Sequence, residues 1–212
     1  MDAFIQPHQY HYIKQQVKKI VSAQANSNDS QVIQAVKEIA MEELEKQLDH
    51  LSEEQKEILS AIQTMKDRED IDPFLQQLKQ YVISFPLISE KQLQKAFPKV
   101  KKLKMPDLEP FDRKETVYLR WDDVSLNKTF MLIPKDEKLI GVQGQLDTTQ
   151  QKGICSLCNG LENVSLFTSA KKGQMRGTYS KRGNYICKDP ISCNQNIATL
   201  QLLHNFIDRL QA

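Results

Sequence analysis

The first part of the chain carries apolar residues at the spacing of an amphipathic helix. Pro7 suits the first position of a helix, because the N–H that proline lacks would have no partner there. From this point an apolar stripe recurs every three or four residues. Its members are Tyr10, Ile13, Val17, Ile20 and Val21. The pattern predicts a first helix that runs from Pro7 to a polar loop at residues 26–29.

Three more helices are predicted before residue 84. The second has an apolar stripe that comprises Val32, Ile33, Val36, Ile39, Ala40, Leu44 and Leu48. Ser52 and Gln55 have the spacing of a capping box and open a third helix. Asp72–Pro73 opens a fourth, with Phe74, Leu75, Leu78, Tyr81 and Val82 on its apolar side. Four amphipathic helices with short loops predict an antiparallel bundle.

The pattern changes after residue 84. Ser89 and Gln92 form a second capping-box signal before a short helix. Runs rich in β-branched and aromatic residues follow at 116–121, 129–134 and 138–146, and they predict a small antiparallel sheet. A last helical stripe comprises Ile197, Leu200, Leu203, Ile207 and Leu210. The predicted fold is α+β, with a helical bundle over residues 1–84 and an α/β domain over residues 85–212.

Composition narrows the function classes. The chain has 212 residues, 40% of them apolar and 26% charged, as in an ordinary globular protein. No apolar run approaches the roughly 20 residues of a membrane span. The start "MDAFIQPHQYHY" lacks a basic region followed by an apolar stretch, so a cytoplasmic protein is expected.

The charge is unevenly distributed. Residues 151–212 hold eight basic and three acidic residues, a net charge of +5, which leaves −3 for residues 1–150 because the whole chain is at +2. A basic module on a mildly acidic body suits an acidic partner, either nucleic acid or a protein surface. An ordinary solvated surface explains the same charges equally well.

All four cysteines lie in this basic module. Cys155-x2-Cys158 is followed after 28 residues by Cys187-x5-Cys193. A C-x2-C turn lets two thiolates converge on one ion, and Gly153 and Gly160 beside it would permit unusual backbone dihedrals. Two β-like arms separate the pairs, and the final helix begins close to Cys193. Turn, hairpin and helix, with a cysteine pair at each end, is the order of a treble-clef zinc finger.

Three other roles for the cysteines are weaker. A catalytic cysteine needs a histidine partner, and His8, His11, His50 and His204 all fall on predicted helices away from the cysteines in sequence. In a thioredoxin-like redox pair a helix starts at the C-x2-C motif. Here the motif is followed by "NGLENVSLF", which does not fit that arrangement. Two disulfides are typical of a secreted chain, whereas a cytoplasmic protein is expected here. Four cysteine ligands fill a tetrahedral zinc ion and leave no position for water, so a structural zinc site over residues 151–212 is predicted.

Four segments resemble one known family. "PHQYHYIKQQV", "QLQKAFPKVKKLKMP", "KGICSLCNGLENVSLF" and "YSKRGNYICKDPISCN" are similar, in this order, to the elongation factor G-binding proteins, which include the FusB-type fusidic acid resistance proteins. The resemblance implies a helical bundle followed by an α/β domain with a treble-clef zinc site. It also allows part of the last helix to pack back against the bundle.

The resemblance further implies a function. Members bind elongation factor G through the zinc-bearing domain and promote its release from ribosomes on which fusidic acid has locked it, with no chemistry on the drug. The expected protein is therefore not an enzyme. It is expected to be a monomer that acts at the ribosome, with no small-molecule substrate and no membrane.

Site residues are carried over position by position. Cys155, Cys158, Cys187 and Cys193 match the metal ligands, and Arg182 and Tyr185 match a basic and an aromatic position for binding the factor. Lys181 and Ile154 complete the candidate partner-binding set. The chain departs from the family pattern at Ile154, where resistance proteins tend to have an aromatic residue, and at Arg182, where lysine is familiar.

An alternative function belongs to another class. A zinc-stabilised RNA-binding module acting on ribosomal RNA would use the basic module with its interleaved Tyr179 and Tyr185. The modest charge and the lack of a long arginine-rich stretch count against it.

Overall fold

The computed structural model describes residues 1–101, 103–136, 138–172 and 179–211. The chain divides into two compact units, Met1–Ser84 and Phe85–Ala212. The first is helical, and the second combines an antiparallel sheet with helices, so the predicted α+β class is confirmed.

The helical unit is built from two long and two short helices. They are α1 (Pro7–Asn26), α2 (Ser30–Gln47), α3 (Glu53–Ser60) and α4 (Ile71–Leu78), with 3-10 turns at Ala61–Thr64, Arg68–Asp70 and Lys79–Tyr81. The capping box before α3 is confirmed, because the Ser52 hydroxyl accepts from the Gln55 amide and the Gln55 side chain accepts from the Ser52 amide. The fourth helix begins slightly before the predicted Asp72–Pro73.

The core of this unit follows the predicted stripes of α1 and α4 closely. Its buried members include Ile13, Val17, Ile20, Leu44, Leu59, Ile62 and Leu78. The stripe of α2 differs, because Val32 and Ile39 are exposed and only Ala40 and Leu44 are buried within the helix. The physical reason is that α2 packs chiefly against α1, so that mainly the side of α2 that faces α1 is buried.

Over its described residues, the second unit has six strands and three helices. They are α5 (Glu90–Ala96), β1 (Leu119–Asp123), β2 (Lys128–Lys135), β3 (Lys138–Leu146), β4 (Gln151–Ile154), β5 (Leu161–Lys172), β6 (Tyr179–Cys187), α6 (Pro190–Asn196) and α7 (Gln201–Gln211). The sheet order is β1-β2-β3-β5-β4, and β6 pairs with β5 as well. Every pairing between these strands is antiparallel, as predicted.

Two predicted boundaries in this unit move. The run at 116–121 yields a strand only from Leu119, because the backbone amides of Val117 and Tyr118 instead donate to the side chain of Asn194, at 2.6 and 3.0 Å. The final helix divides into α6 and α7, since Ile197 leaves the helical conformation at φ −74° and ψ 105°. Strand β4, which has four residues, was missed.

The last helix packs in the core of its own unit. Leu203, Phe206, Ile207 and Leu210 join a buried cluster that also contains Tyr118, Phe167 and three of the cysteines. The rings of Phe206 and Phe167 lie 5.9 Å apart. The expectation that part of this helix reaches the helical bundle stays a prediction. Residues 173–178, in the predicted basic tip of the β5–β6 hairpin, lie outside the described residues.

Candidate metal centre and partner surface

The four cysteines converge from three elements. Cys155 and Cys158 lie in the turn after β4, Cys187 ends β6, and Cys193 lies on α6. Their sulfur atoms all lie within 4.8 Å of one another. The Sγ atoms of Cys155 and Cys193 are 3.8 Å apart, and those of Cys158 and Cys187 are 3.6 Å apart. Zinc–sulfur bonds of about 2.3 Å at tetrahedral angles place sulfurs about 3.8 Å apart, so the cluster fits a zinc ion.

The electrostatics of the cluster also fit a cation. Hydrogen bonds from Cys158, Cys187 and Cys193 lower the pKa of Cys155 far below that of a free thiol. Hydrogen bonding to Cys155 in turn raises the pKa of Cys187 and of Cys193. The first thiolate thus opposes ionisation of its neighbours, and a divalent cation removes that opposition. Bound zinc would supply structural cross-linking, with no open position for substrate or water.

The turn that carries the first pair is closed by its own backbone. The Cys155 amide donates to the Gly160 carbonyl at 3.0 Å, and the Asn159 amide donates to the Cys155 carbonyl at 2.9 Å. The left-handed residue is Asn159, at φ 58°. The glycines have a steric role: a Cβ on Gly153 would lie 2.9 Å from Val164, and one on Gly160 would lie 3.1 Å from Asn196. The predicted dihedral role of Gly153 and Gly160 is therefore corrected to close packing.

Backbone amides and a buried arginine support the sulfurs. The amides of Leu157 and Cys187 donate to the Cys155 sulfur at 3.4 and 3.3 Å. Arg120 is buried, and its two terminal nitrogens donate to the carbonyls of Cys187 and Lys188, each at 2.5 Å. Outer hydrogen bonds of this kind fix the orientation of metal ligands. Sequence reasoning missed Arg120, although a charge inside the apolar run "TVYLRW" was a usable signal.

Asn194 is a second residue that sequence reasoning missed. Its side-chain oxygen accepts from two backbone amides before β1, and its nitrogen donates to the carbonyls of Tyr118 and Pro190, at 3.0 and 2.9 Å. Because Cys193 is its neighbour, these bonds fix α6 and the fourth sulfur to the sheet. Burial raises the pKa of Tyr118, which lies in the same cluster, well above its ordinary value.

Comparison with protein families identifies the chain. The family model described as "Elongation factor G-binding protein, N-terminal" matches residues 4–86. The model described as "FBP C-terminal treble-clef zinc-finger" matches residues 94–207, more than half of the chain. The chain belongs to the elongation factor G-binding family. The treble-clef assignment and the four clustered cysteines together make zinc the structural cofactor that this centre fits.

A solved structure supports the same family. The fold is similar to that of a protein described as the fusidic acid resistance protein FusC, with a TM-score of 0.84 and 31% sequence identity. The likeness covers 97% of this chain and 96% of that one. Nothing among the curated proteins matches the sequence. Within the described ranges, no helix combines the length and apolar character needed to cross a membrane.

The four candidate partner residues of this family member are all exposed. Ile154 ends β4, with 56% of its surface exposed, and Tyr185 lies near the end of β6, with 40% exposed. The Tyr185 carbonyl accepts from the Ser156 amide at 2.9 Å, which links β6 to the zinc turn. Lys181 and Arg182 lie farther along β6. The Arg182 guanidinium donates to the carbonyl of Arg209 at 2.9 Å.

Strand geometry divides these residues between two faces. Successive residues of a strand point to opposite faces, so Lys181 and Tyr185 share one face of β6 and Arg182 lies on the other. On β5, Arg182 pairs with Ser169 and Ile154 pairs with Leu161. Ser169 and Leu161 are eight residues apart along this strand. At about 3.3 Å per residue the two pairs are about 26 Å apart along the strand. The zinc turn therefore brings Ile154 toward Tyr185, whereas Arg182 is remote from Ile154.

Proposed function

We propose that the protein binds elongation factor G through its zinc-bearing unit and promotes release of the factor from ribosomes stalled by fusidic acid. Membership of the elongation factor G-binding family carries the proposal, and the likeness to a fusidic acid resistance protein supports the drug connection. In this account the protein acts in the cytoplasm as a monomer and performs no chemistry on the drug.

Tyr185 is the residue best suited to anchor the partner. Its ring is exposed, while its carbonyl is tied to the zinc turn and Cys187, two residues on, is one of the four clustered cysteines. A tyrosine held in this way loses little conformational entropy when a partner covers it, and tyrosine is enriched at interface hot spots. We therefore expect the strongest contact with the partner to lie beside the metal centre.

Release would follow from differential affinity. A ligand shifts a conformational equilibrium only by the difference between its affinities for the two states. A protein that binds the free or departing conformation of elongation factor G more tightly than the ribosome-locked one would favour departure. Such a mechanism needs a rigid binding surface and no catalytic group, which suits a closed four-sulfur centre.

Calorimetry with purified elongation factor G from the same organism tests the binding step. Wild type should bind, Tyr185→Ala should bind at least about tenfold more weakly, and both should retain zinc. Tyr179→Ala is the matched control, because Tyr179 is 69% exposed and lies on the same face of the same strand. A wild-type protein that shows no binding to the factor contradicts the proposal.

One observation favours the RNA-binding alternative. Tyr179, Lys181 and Tyr185 lie at alternate positions of β6, are all exposed, and so form an aromatic–basic–aromatic row on one face. Bases stack on such rings while lysines contact phosphates. Binding to ribosomal RNA with a steep salt dependence, weakened equally by Tyr179→Ala and Tyr185→Ala, would favour this alternative if the factor itself is not bound.

A further inference from the structure

Strands β4 and β5 present two large apolar side chains to solvent beside the metal centre. Ile154 pairs with Leu161 across the strands, and Leu161 is 67% exposed against 56% for Ile154. Directly opposite residues of an antiparallel pair have Cβ atoms about 5 Å apart, so the two side chains adjoin. The other face of this strand pair carries Val164, which is buried in the core. The apolar pair therefore lies on the outward face and belongs to no described core cluster.

We propose that Leu161 is a partner-contact residue and that it forms, with Ile154, one apolar pair that packs into an apolar depression on elongation factor G. This inference rests on the proposed function and extends its contact surface. Leu161 lies inside the segment "KGICSLCNGLENVSLF" but is not among the four candidate partner residues, and the strand register brings it beside Ile154.

The metal centre holds both side chains in place. Ile154 directly precedes Cys155, Leu161 directly follows Gly160, and the Cys155 amide donates to the Gly160 carbonyl at 3.0 Å. Packing against Asn196 leaves little room for a side chain at Gly160, so the turn stays compact. A pair fixed on a short, cross-linked turn has little freedom left to lose on binding. This rigidity is what separates the pair from an exposed leucine elsewhere on the surface.

The surrounding charge indicates the rim of the depression. Lys152 lies two residues before Ile154, so it is on the same face, and it is exposed. Glu162 points to the other face, where its carboxylate accepts from the Asn196 side chain at 3.1 Å. The outward face therefore combines an apolar pair with a positive charge. Its complement is an apolar depression with at least one carboxylate at the rim.

Calorimetry with elongation factor G tests the inference in the full, zinc-loaded chain. Leu161→Ala should weaken binding about tenfold, as for other truncated interface anchors. Leu87→Ala is the matched control, because Leu87 is 70% exposed in the same unit but lies before α5. It should bind within about twofold of wild type. Zinc content and the melting temperature are measured for each variant. Leu161→Gln, which keeps a side chain of similar length but makes it polar, should show the same loss of affinity.

Charge substitutions test the predicted rim. Leu161→Glu should weaken binding more than Leu161→Lys, because a carboxylate on the partner repels the first and attracts the second. The inference is overturned, with the proposed function intact, if wild type binds the factor and Leu161→Ala binds as tightly as Leu87→Ala. If wild type itself does not bind, the proposed function and this inference fall together.

Discussion

The two units expose apolar side chains in different ways. In the helical unit, Val32 and Ile39 are exposed on α2 because α2 packs chiefly against α1 and buries mainly the side that faces it. In the second unit, Ile154 and Leu161 are exposed on strands that a four-cysteine centre cross-links. The backbone hydrogen bonds of a helix lie within the helix, whereas a four-residue strand depends on its neighbouring strand for them.

The difference shows where binding specificity is best placed. Among the described residues the four cysteines are the only cluster suited to hold a metal, and it lies beside the exposed Ile154, Leu161 and Tyr185. A metal centre fixes a small surface that its own apolar contacts could not hold. The zinc-bearing unit therefore carries the candidate partner surface, and the helical unit relies on an ordinary apolar core.

Loss of one metal ligand should give the largest effect. Cys155→Ser should release zinc and unfold the second unit, because structural zinc contributes on the order of 10 kcal/mol to the folding of small metal domains. The helices of the first unit should persist. Zinc analysis together with two-dimensional NMR checks this, and a variant that keeps dispersed signals from β5 and β6 without zinc would contradict it.

Truncation in the helical core should come next. Leu44 is fully buried on α2, so Leu44→Ala should lower the free energy of unfolding of this unit by about 2–5 kcal/mol. Ile39→Ala, on the exposed side of the same helix, is the control and should change it by no more than about 0.5 kcal/mol. Denaturant unfolding followed by circular dichroism measures both. Equal losses would mean that the outer side of α2 is covered.

Removal of the buried arginine should have an intermediate effect. Arg120→Met leaves the carbonyls of Cys187 and Lys188 without their donors, at a cost of about 2 kcal/mol to the second unit. Zinc affinity should fall about tenfold or more, since these bonds orient a metal ligand. Arg120→Lys keeps the charge but not the two-pronged geometry, and should recover only part of the loss in a competitive zinc titration. Full recovery would mean that charge alone matters.

The smallest effect concerns one polar contact in the helical unit. Partial burial, and then the hydrogen bond from Tyr12 to Glu43 at 2.9 Å, raise the pKa of Tyr12 to about 12. The folded protein favours the neutral phenol, whose hydrogen bond to Glu43 stabilises the folded state by about 1 kcal/mol. This stabilisation is complete below pH 10 and is lost as the pH rises toward 12. Ultraviolet titration of wild type against Tyr12→Phe checks this. A phenol that titrates near 10 would contradict it.

Sequence patterns were sufficient for the elements with strong local signals. The capping box at Ser52 and Gln55 and the helical stripe of α1 depend on neighbours within a few residues, so they are legible in sequence. The exposure of Val32 and Ile39 depends on which side of α2 packs against α1. Strand β4 is too short for alternation to be recognised, and the start of β1 depends on Asn194, 76 residues away from Tyr118.

The candidate site was predictable in its ligands and not in its surroundings. Cysteine spacing was enough to suggest the cluster, because few other arrangements place four thiols together. Arg120 reaches the centre through its side-chain contact with the Cys187 carbonyl, 67 residues along the chain, and Leu161 lies beside Ile154 through strand register. No local pattern specifies either contact. The division of Arg182 and Tyr185 between two faces follows from strand alternation once β6 is known to include both residues.

The rate at which elongation factor G leaves fusidic acid-stalled ribosomes tests the account most directly. Stopped-flow fluorescence with a labelled factor measures this rate as the protein is added. The account predicts that the rate rises with protein concentration until it saturates, and that Tyr185→Ala has to be added at a higher concentration to reach the same rate. A protein that binds the free factor but leaves the rate unchanged at saturation would contradict it.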